Sequence, residues 1–254
     1  MRVALPARAK LNLDLQVIKR RADGFHEIKT HIQAVALHDL IEASPSDRTT
    51  LTVDGMRVTV GSDNIIFKAL AALETAVGRS LPTAFHLHKR IPPGAGLGGA
   101  SSDAATALRA ARLVHGVDVD LSAIARAVGA DVPFFIAGGG ALVEGIGERL
   151  SPIPTEPAWY ALAWPGIELS TATVYEAWDE TKGEPPNELL SAAGQTDPQV
   201  EQFARRLGGR WQMTGSGSAF FMRCSSREDG ETAIQAIESL DCWSTLTHAV
   251  GPWA

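Results

Sequence analysis

The chain has few cysteines and tyrosines, no surplus of positive charge and no long apolar run, and each shortage narrows what it can be. Only Cys224 and Cys242 occur in 254 residues, and neither has a partner at metal-ligand spacing, which argues against a disulfide scaffold or a zinc finger. The formal net charge of −6 offers no extended face to nucleic acid or an anionic membrane, and Lys19-Arg20-Arg21 reads as a solvated turn. No stretch approaches the ~18 apolar residues that a bilayer span needs. The opening MRVALPARAK puts a proline and charges where a secretory signal needs its apolar core. A cytoplasmic, reduced, disulfide-free enzyme is the expectation, long enough for one large domain or two modest ones.

What the chain does have is a concentration of glycine at Pro92-Pro93-Gly94-Ala95-Gly96-Leu97-Gly98-Gly99-Ala100-Ser101-Ser102-Asp103, followed by the alanine-rich helical stretch AATALRAARL. A backbone freed of Cβ atoms can curl its N–H groups around an anion, and the helix aims its unpaired N–H groups and positive end at the same spot. Ser101 or Ser102 stands where an N-cap belongs and is in reach of a phosphate or its metal. The segment reads as a phosphate cradle, so the chain is expected to handle a nucleotide. Spacing narrows the kind of cradle. A Walker loop needs lysine where Ala100 stands, which excludes a P-loop NTPase. Gly94, Gly96 and Gly99 match the dinucleotide fingerprint, but Asp118 and Asp120, near the expected distance, open a helical stretch rather than end a second strand. A eukaryotic-type kinase loop needs valine where Ser101 stands. A plain strand-to-helix connection does not need four glycines.

Periodicity divides the rest. Residues 10–18 alternate as a half-buried strand, Arg21 to Gly24 form a turn, and HEIKTHIQAVAL and DLIEAS continue as extended chain. TTLTVDGMRVTV reads as a hairpin about Asp54-Gly55, and Ser62 caps a helix that stops at Gly78. The strand AFHLHKRI feeds the glycine loop, a second helix precedes Gly129, and GGALVEGIGERL is strand and turn. From 151 the Pro-rich SPIPTEPAW has linker composition. Beyond it come a strand at YALAWP, helices near ATVYEAWDE and PQVEQFARRL, a second Gly/Ser turn at Thr214-Gly215-Ser216-Gly217-Ser218 leading into the strand AFFMRC, and a last helix and strand. Two α+β lobes are expected, 1–150 and 151–254, with both Gly/Ser loops lining the cleft between them.

Three segments together, PARAKLNL, PPGAGLGGASSDAA and TGSGSAFF, resemble the three motifs of the GHMP kinase superfamily. RADGFHE, GADVPFF and VEGIGE are similar to the branch of that superfamily that acts on 4-diphosphocytidyl-2-C-methyl-D-erythritol, and the likeness runs over nearly the whole chain. The resemblance implies a two-lobed α+β fold, the N-terminal lobe like domain 2 of ribosomal protein S5 and the C-terminal lobe ferredoxin-like. It implies transfer of the ATP γ-phosphoryl group to the substrate's 2-hydroxyl, a step of non-mevalonate isoprenoid synthesis. The implied partners are ATP and a cytidine-diphospho sugar alcohol, without nucleic acid or membrane, in a monomer or homodimer.

By the same resemblance Asp131 is the general base and Lys10 its partner, keeping the carboxylate ionised and stabilising the forming alkoxide. Read without the family, Asp131 is a turn aspartate before Val-Pro and Lys10 a strand-edge lysine facing water. The nucleotide is expected on the backbone of Pro93, Gly94, Ala95, Gly96, Leu97, Gly98, Gly99, Ala100, Ser101 and Ser102, with Asn64 and Lys89 as neighbours; Lys89 reads equally as a solvated strand end. No carboxylate cluster announces a metal site, so Mg²⁺ is expected to be held mainly by phosphates and water, with Ser102 near it. Substrate contacts are expected at Asn12, Gly215 and Ser216, and at Phe25, His26 and Tyr175 for the cytosine, where two aromatic faces sandwich the base and His26 bonds its edge. Phe25 stands where the family pattern has tyrosine, and Asn187-Glu188-Leu189 where it has Asn-Asp-Leu. The alternatives are another GHMP kinase for a different small alcohol, a non-catalytic nucleotide sensor, and a dinucleotide oxidoreductase.

Overall fold

The computed structural model of the protein describes residues 1–253. Its first sheet is organised by one unusually long strand. β1 (Val3–Asn12) and β2 (Gln16–Arg20) both pair antiparallel with β3 (His26–Pro45), which runs 20 residues without a break. HEIKTHIQAVAL and DLIEAS are therefore one strand. The stretch 10–18, expected as a single strand, breaks at 13–15, where Leu15 leaves the sheet to bridge Asn187. β4 (Thr50–Gly55) leads through α1 (Ile65–Val77) to β5 (Thr83–Lys89), and β4 and β5 pair in parallel. The expected Asp54-Gly55 hairpin is thus a strand–helix–strand crossover. Met56 N–H goes to Lys89 O at 3.0 Å instead of starting a return strand.

Two expected caps also move. Asn64, not Ser62, caps α1, its side chain accepting from Ile66 N–H. Neither Ser101 nor Ser102 caps α2 (Gly99–His115): Gly98 holds that position at φ 72°, a conformation that spares a β-carbon, and both serines lie inside the first turn. α3 (Leu121–Val128), α4 (Val132–Ala137) and the hairpin strands β6 (Gly140–Gly145) and β7 (Arg149–Ile153) complete this part, with sheet order β4-β5-β3-β6-β7. The start of SPIPTEPAW belongs to β7. Alternation on β5 sends Phe85 and Leu87 into a core shared with Ile66, Leu70, Leu73 and Leu108 of the helices.

The second sheet has the order β11-β8-β10-β9, from β8 (Trp159–Trp164), β9 (Gln212–Met213), β10 (Phe220–Cys224) and β11 (Trp243–His248). α5 (Thr171–Thr181), α6 (Leu190–Thr196), α7 (Pro198–Leu207) and α8 (Arg227–Ala236) accompany it; α6 has no counterpart in the sequence reading, being seven residues with two alanines and a glycine where a stripe would show. Alternation again sorts the faces. Phe220 packs with α5–α7 residues, while Tyr160, Leu162 and Phe221 meet Ala9, Leu11, Val35 and Leu97 in an apolar core between the two sheets. The end of the chain then returns to the first sheet. Val250 N–H donates to Ala34 O at 3.0 Å, and Trp253 Nε1–H to Phe135 O at 2.8 Å. The guanidinium groups of Arg8 and Arg109 stand 3.7 and 4.1 Å from the Trp253 ring centroid.

Candidate active site

Between the two sheets lies a cleft of about 650 Å³ lined by both Gly/Ser loops. The first loop is shaped by Gly94, Gly96 and Gly98, all at positive φ, and its carbonyls are turned into the protein. Gly94 O accepts from Leu169 N–H, Ala95 O from Ala219 N–H and Leu97 O from Lys10 N–H, at 3.3, 3.0 and 3.0 Å. Its N–H groups are not so engaged. Among the described residues no N–H from Gly94 to Ser101 donates to a protein acceptor; the first to do so is Ser102 N–H, to Gly98 O. A curled run of open N–H groups at the start of a 17-residue helix is what an oxyanion needs.

The second loop, 214–218, is fixed from outside. Asn187 Nδ2–H₂ donates to Met213 O and Gly215 O at 2.7 and 2.9 Å, the Thr171 and Ser216 hydroxyls meet at 3.0 Å, and Thr214 Oγ1 accepts from Asn12 N–H at 2.8 Å. The loops touch directly, since a β-carbon on Gly96 would lie 2.4 Å from Thr214 O.

Lys10 threads between them. It is buried on β1, which sets aside the water-facing lysine, and its ammonium donates to Asn12 Oδ1 two residues on. Asn12 is fixed in turn by Thr30 Oγ1 at 2.9 Å. Burial pushes the Lys10 ammonium below the usual lysine range, and the Asp131 carboxylate works in the opposite direction. Asp131 occupies the N-cap position of α4 without capping it, and among the described residues its exposed carboxylate has no hydrogen-bond partner. It lines the cleft together with Tyr175, whose phenol is raised above its ordinary range by burial and, after that, by Asp131. In the second loop Thr214 N–H and Gly217 N–H are taken by Ala219 O and Thr214 O, while among the described residues those of Gly215 and Ser216 have no protein acceptor. A buried cation and an unengaged carboxylate therefore share one cleft with open N–H groups from both loops, the elements needed to deprotonate a hydroxyl beside a bound phosphate.

The other expected residues divide. Asn12, Asn64, Lys89, Pro93 to Ser101, Tyr175, Gly215 and Ser216 line the cleft with Lys10 and Asp131. Ser102 does not; it is buried beneath the loop. Lys89 is no solvated strand end: its ammonium is buried between Asp39 and Asp103, 2.8 Å from Asp103 Oδ2. Burial opposes the charge on Lys89, but the two carboxylates outweigh it and the pKa stands raised. Asp103 goes up to about 8, through burial first, with Lys89 opposing and the Asp39 charge adding to the rise. Asp39 also accepts from Ile91 N–H at 2.8 Å, so the triad ties β3, β5 and α2 to the entrance of the glycine loop. Phe25 and His26 lie beside the cleft rather than in its lining. Phe25 is 60 % exposed, leaving its ring free. His26 stacks on Tyr175 with ring centroids 5.1 Å apart and gives Nε2 to Asp179 at 2.9 Å, so those two rings leave no room for a base between them. The sequence reading missed the support: Asp39 and Thr171 reach the loops only through tertiary contacts, and Asp103 and Asn187, though named, were given no supporting role.

Residues 64–139 match the family model for the N-terminal domain of GHMP kinases. The chain is 37% identical over 260 residues to the 4-diphosphocytidyl-2-C-methyl-D-erythritol kinase of Thermus thermophilus, covering 93% of this chain and 92% of that one. To the enzyme of the same name from Halorhodospira halophila it is 35% identical over 260 residues, covering 94% and 90%. A crystal structure of 4-(cytidine 5'-diphospho)-2C-methyl-D-erythritol kinase superposes with a TM-score of 0.84 at 34% identity, over 98% of this chain and 100% of the other.

Proposed function

The chain belongs to the 4-diphosphocytidyl-2-C-methyl-D-erythritol kinase family within the GHMP kinases, and on that footing we propose how its residues divide the work. The reaction is transfer of the γ-phosphoryl group of ATP to the 2-hydroxyl of 4-diphosphocytidyl-2-C-methyl-D-erythritol, in non-mevalonate isoprenoid synthesis. The observation that carries the assignment of roles is the pair of loops with open N–H groups facing each other across Lys10 and Asp131.

Gly94 to Ser101 hold the ATP phosphates, and the N–H groups of Gly215 and Ser216 take the oxygens of the group in transit. The acceptor is a tertiary alcohol, crowded and weakly acidic. Asp131 takes its proton, being a carboxylate with no competing partner. Lys10, held by Asn12 between the loops, keeps Asp131 ionised and sets a positive charge beside the forming alkoxide. Ser101 and Asp103 are the oxygen donors that α2 turns to the cleft, a hard-ligand set that suits Mg²⁺, which would be held chiefly by phosphates and water and would neutralise charge on the transferring group. The cytosine lies against the free face of Phe25, with Nδ1 of His26 at its edge, the nitrogen not engaged by Asp179.

ADP release from ATP-Mg with 4-diphosphocytidyl-2-C-methyl-D-erythritol tests the reading, with wild type run beside Asp131→Asn. Turnover by wild type and a loss of at least about a hundredfold in kcat for the variant are expected. Turnover that survives the substitution removes Asp131 from the role of base. A folded wild type that ignores this alcohol but phosphorylates mevalonate or homoserine overturns the substrate.

A further inference from the structure

The solvent face of the first sheet carries a cluster that the kinase reaction does not use. On β5 the alternation that buries Phe85, Leu87 and Lys89 turns His86 and His88 outward, two imidazoles on one face two residues apart. The parallel register sets Asp54 of β4 directly beside His88 and Thr52 beside His86. Asp54 Oδ2 lies 3.2 Å from His86 Nε2, and Asp54 Oδ1 lies 3.0 Å from His88 Nδ1. All three donor atoms fall within 4.8 Å of one another.

We propose that Asp54, His86 and His88 form a binding site for a divalent transition-metal ion of the zinc type. Two imidazoles and one carboxylate are the mixed nitrogen and oxygen set such ions take, and hard ions such as Mg²⁺ do not prefer. Tetrahedral ligands at zinc bond lengths stand about 3.3 Å apart, close to both carboxylate–imidazole separations found here. The His86 ring is also oriented from behind: its other nitrogen, Nδ1, lies 2.7 Å from Thr52 Oγ1, the kind of outer contact that fixes a metal-bound imidazole. Glu42, across the sheet, pairs with Arg2 and lies 3.9 Å from the other nitrogen of His88, so it adds negative charge without competing for the centre. Three protein donors at a half-exposed site leave the remaining position to water or an external ligand.

The site bridges the two parallel strands one residue before Lys89, on the face opposite the Asp39–Lys89–Asp103 triad. An ion there would clamp β4 to β5 immediately behind the glycine loop.

Calorimetric titration of tag-free, chelator-dialysed protein with Zn²⁺ decides the matter, on wild type, His86→Ala, His88→Ala and Asp54→Asn. His31→Ala serves as control, because His31 with Asp14 is another exposed histidine–carboxylate pair. One ion per wild-type chain is expected, with affinity falling at least about tenfold in each of the three site variants and unchanged in the control. Thermal unfolding without metal shows whether each variant is folded, and Zn²⁺ should raise the midpoint of wild type and control more than that of any site variant. No binding to wild type overturns the site. So does equal binding by folded His86→Ala and His88→Ala, or loss of binding in the control.

Discussion

Replacing Gly96 by alanine separates two costs that the structure keeps distinct. Gly96 sits at φ 77°, and an added β-carbon would lie 2.4 Å from Thr214 O and 3.0 Å from Gly217 O. Gly116, at the far end of the same helix α2, has φ 60° and nothing within 4 Å of such a carbon. Gly116→Ala therefore meets the left-handed backbone penalty alone, about 1–2 kcal/mol. Gly96→Ala meets that penalty and a collision with backbone that no rotamer change relieves, and overpacking of this kind adds about 1–3 kcal/mol. The difference between the two variants, read from urea denaturation midpoints, should thus be about 1–3 kcal/mol, with Gly96→Ala the weaker. The functional effect should diverge further. Gly96 is where the two anion loops touch, so pushing them apart misplaces donors on both sides of the transferring group, and kcat should fall well before the protein unfolds. Gly116→Ala should keep wild-type kcat. Equal stability losses within about 0.5 kcal/mol, or a Gly96→Ala enzyme with full kcat, would refute the claim that the loop contact sets the geometry.

Lys89→Met leaves the Asp39 carboxylate and the Asp103 carboxyl buried without their cation and should cost about 3–5 kcal/mol in denaturant unfolding, while Lys89→Met combined with Asp39→Asn and Asp103→Leu should recover part of it. Burial raises Asp103 from 3.8 to about 8, so the nucleotide-free folded protein holds a proton that the unfolded chain releases, and this group's contribution to stability falls as pH climbs from about 4 to about 8. Asp103→Asn lacks that fall, and the difference in unfolding midpoint between variant and wild type should move in the variant's favour between pH 5 and pH 8, as scanning calorimetry would show. Phe25→Ala removes an exposed ring, so stability should stay within about 0.5 kcal/mol of wild type. If the ring carries the cytosine, KM for the cytidylyl substrate should rise by about one to two orders of magnitude with KM for ATP unchanged.

The parts of the site legible in the sequence are those whose chemistry is local. Four glycines, two hydroxyls and a helix within about a dozen residues declare an anion site because open N–H groups and a helix end depend on neighbouring residues alone. Lys10 and Asp131 are different. Neither residue type nor spacing separates a buried lysine from one at a strand edge, and only the resemblance of the surrounding motifs pointed to them. What stayed hidden is what depends on pairing. Asp54-Gly55 carries the chemistry of a hairpin turn, yet the parallel partner β5 arrives 28 residues after β4 ends and takes the hydrogen bonds that a return strand would have made. The same pairing puts Asp54 beside His86 and His88, which no linear motif foretells. Lys89 reads as solvated because its two carboxylates stand 50 and 14 positions away. The α2 cap moved for a local reason that composition does not rank: Gly98 can take φ 72° at the start of the helix, and a serine there would be strained.

The contacts between the lobes bear on how the cleft works. Ala219 N–H bonds Ala95 O, Asn12 N–H bonds Thr214 Oγ1, Leu15 bridges Asn187, and the returning tail pins Val250 to Ala34 and Trp253 to Phe135. Tyr160, Leu162 and Phe221 close the space behind with an apolar core. A hinge would have to break these backbone bonds and expose that core together, at about 1.5–3 kcal/mol for each large side chain uncovered. The two loops and Lys10 are therefore held in place before any ligand arrives, so on the proposed assignment their donors need not be assembled at the moment of transfer. On the proposed assignment the cytosine site rests instead on the Phe25 ring, which is exposed. On that assignment substrate discrimination and phosphoryl transfer rest on different parts of the molecule, one exposed and one held by the contacts between the sheets. Phe25→Ala should accordingly act through KM for the cytidylyl substrate and Gly96→Ala through kcat.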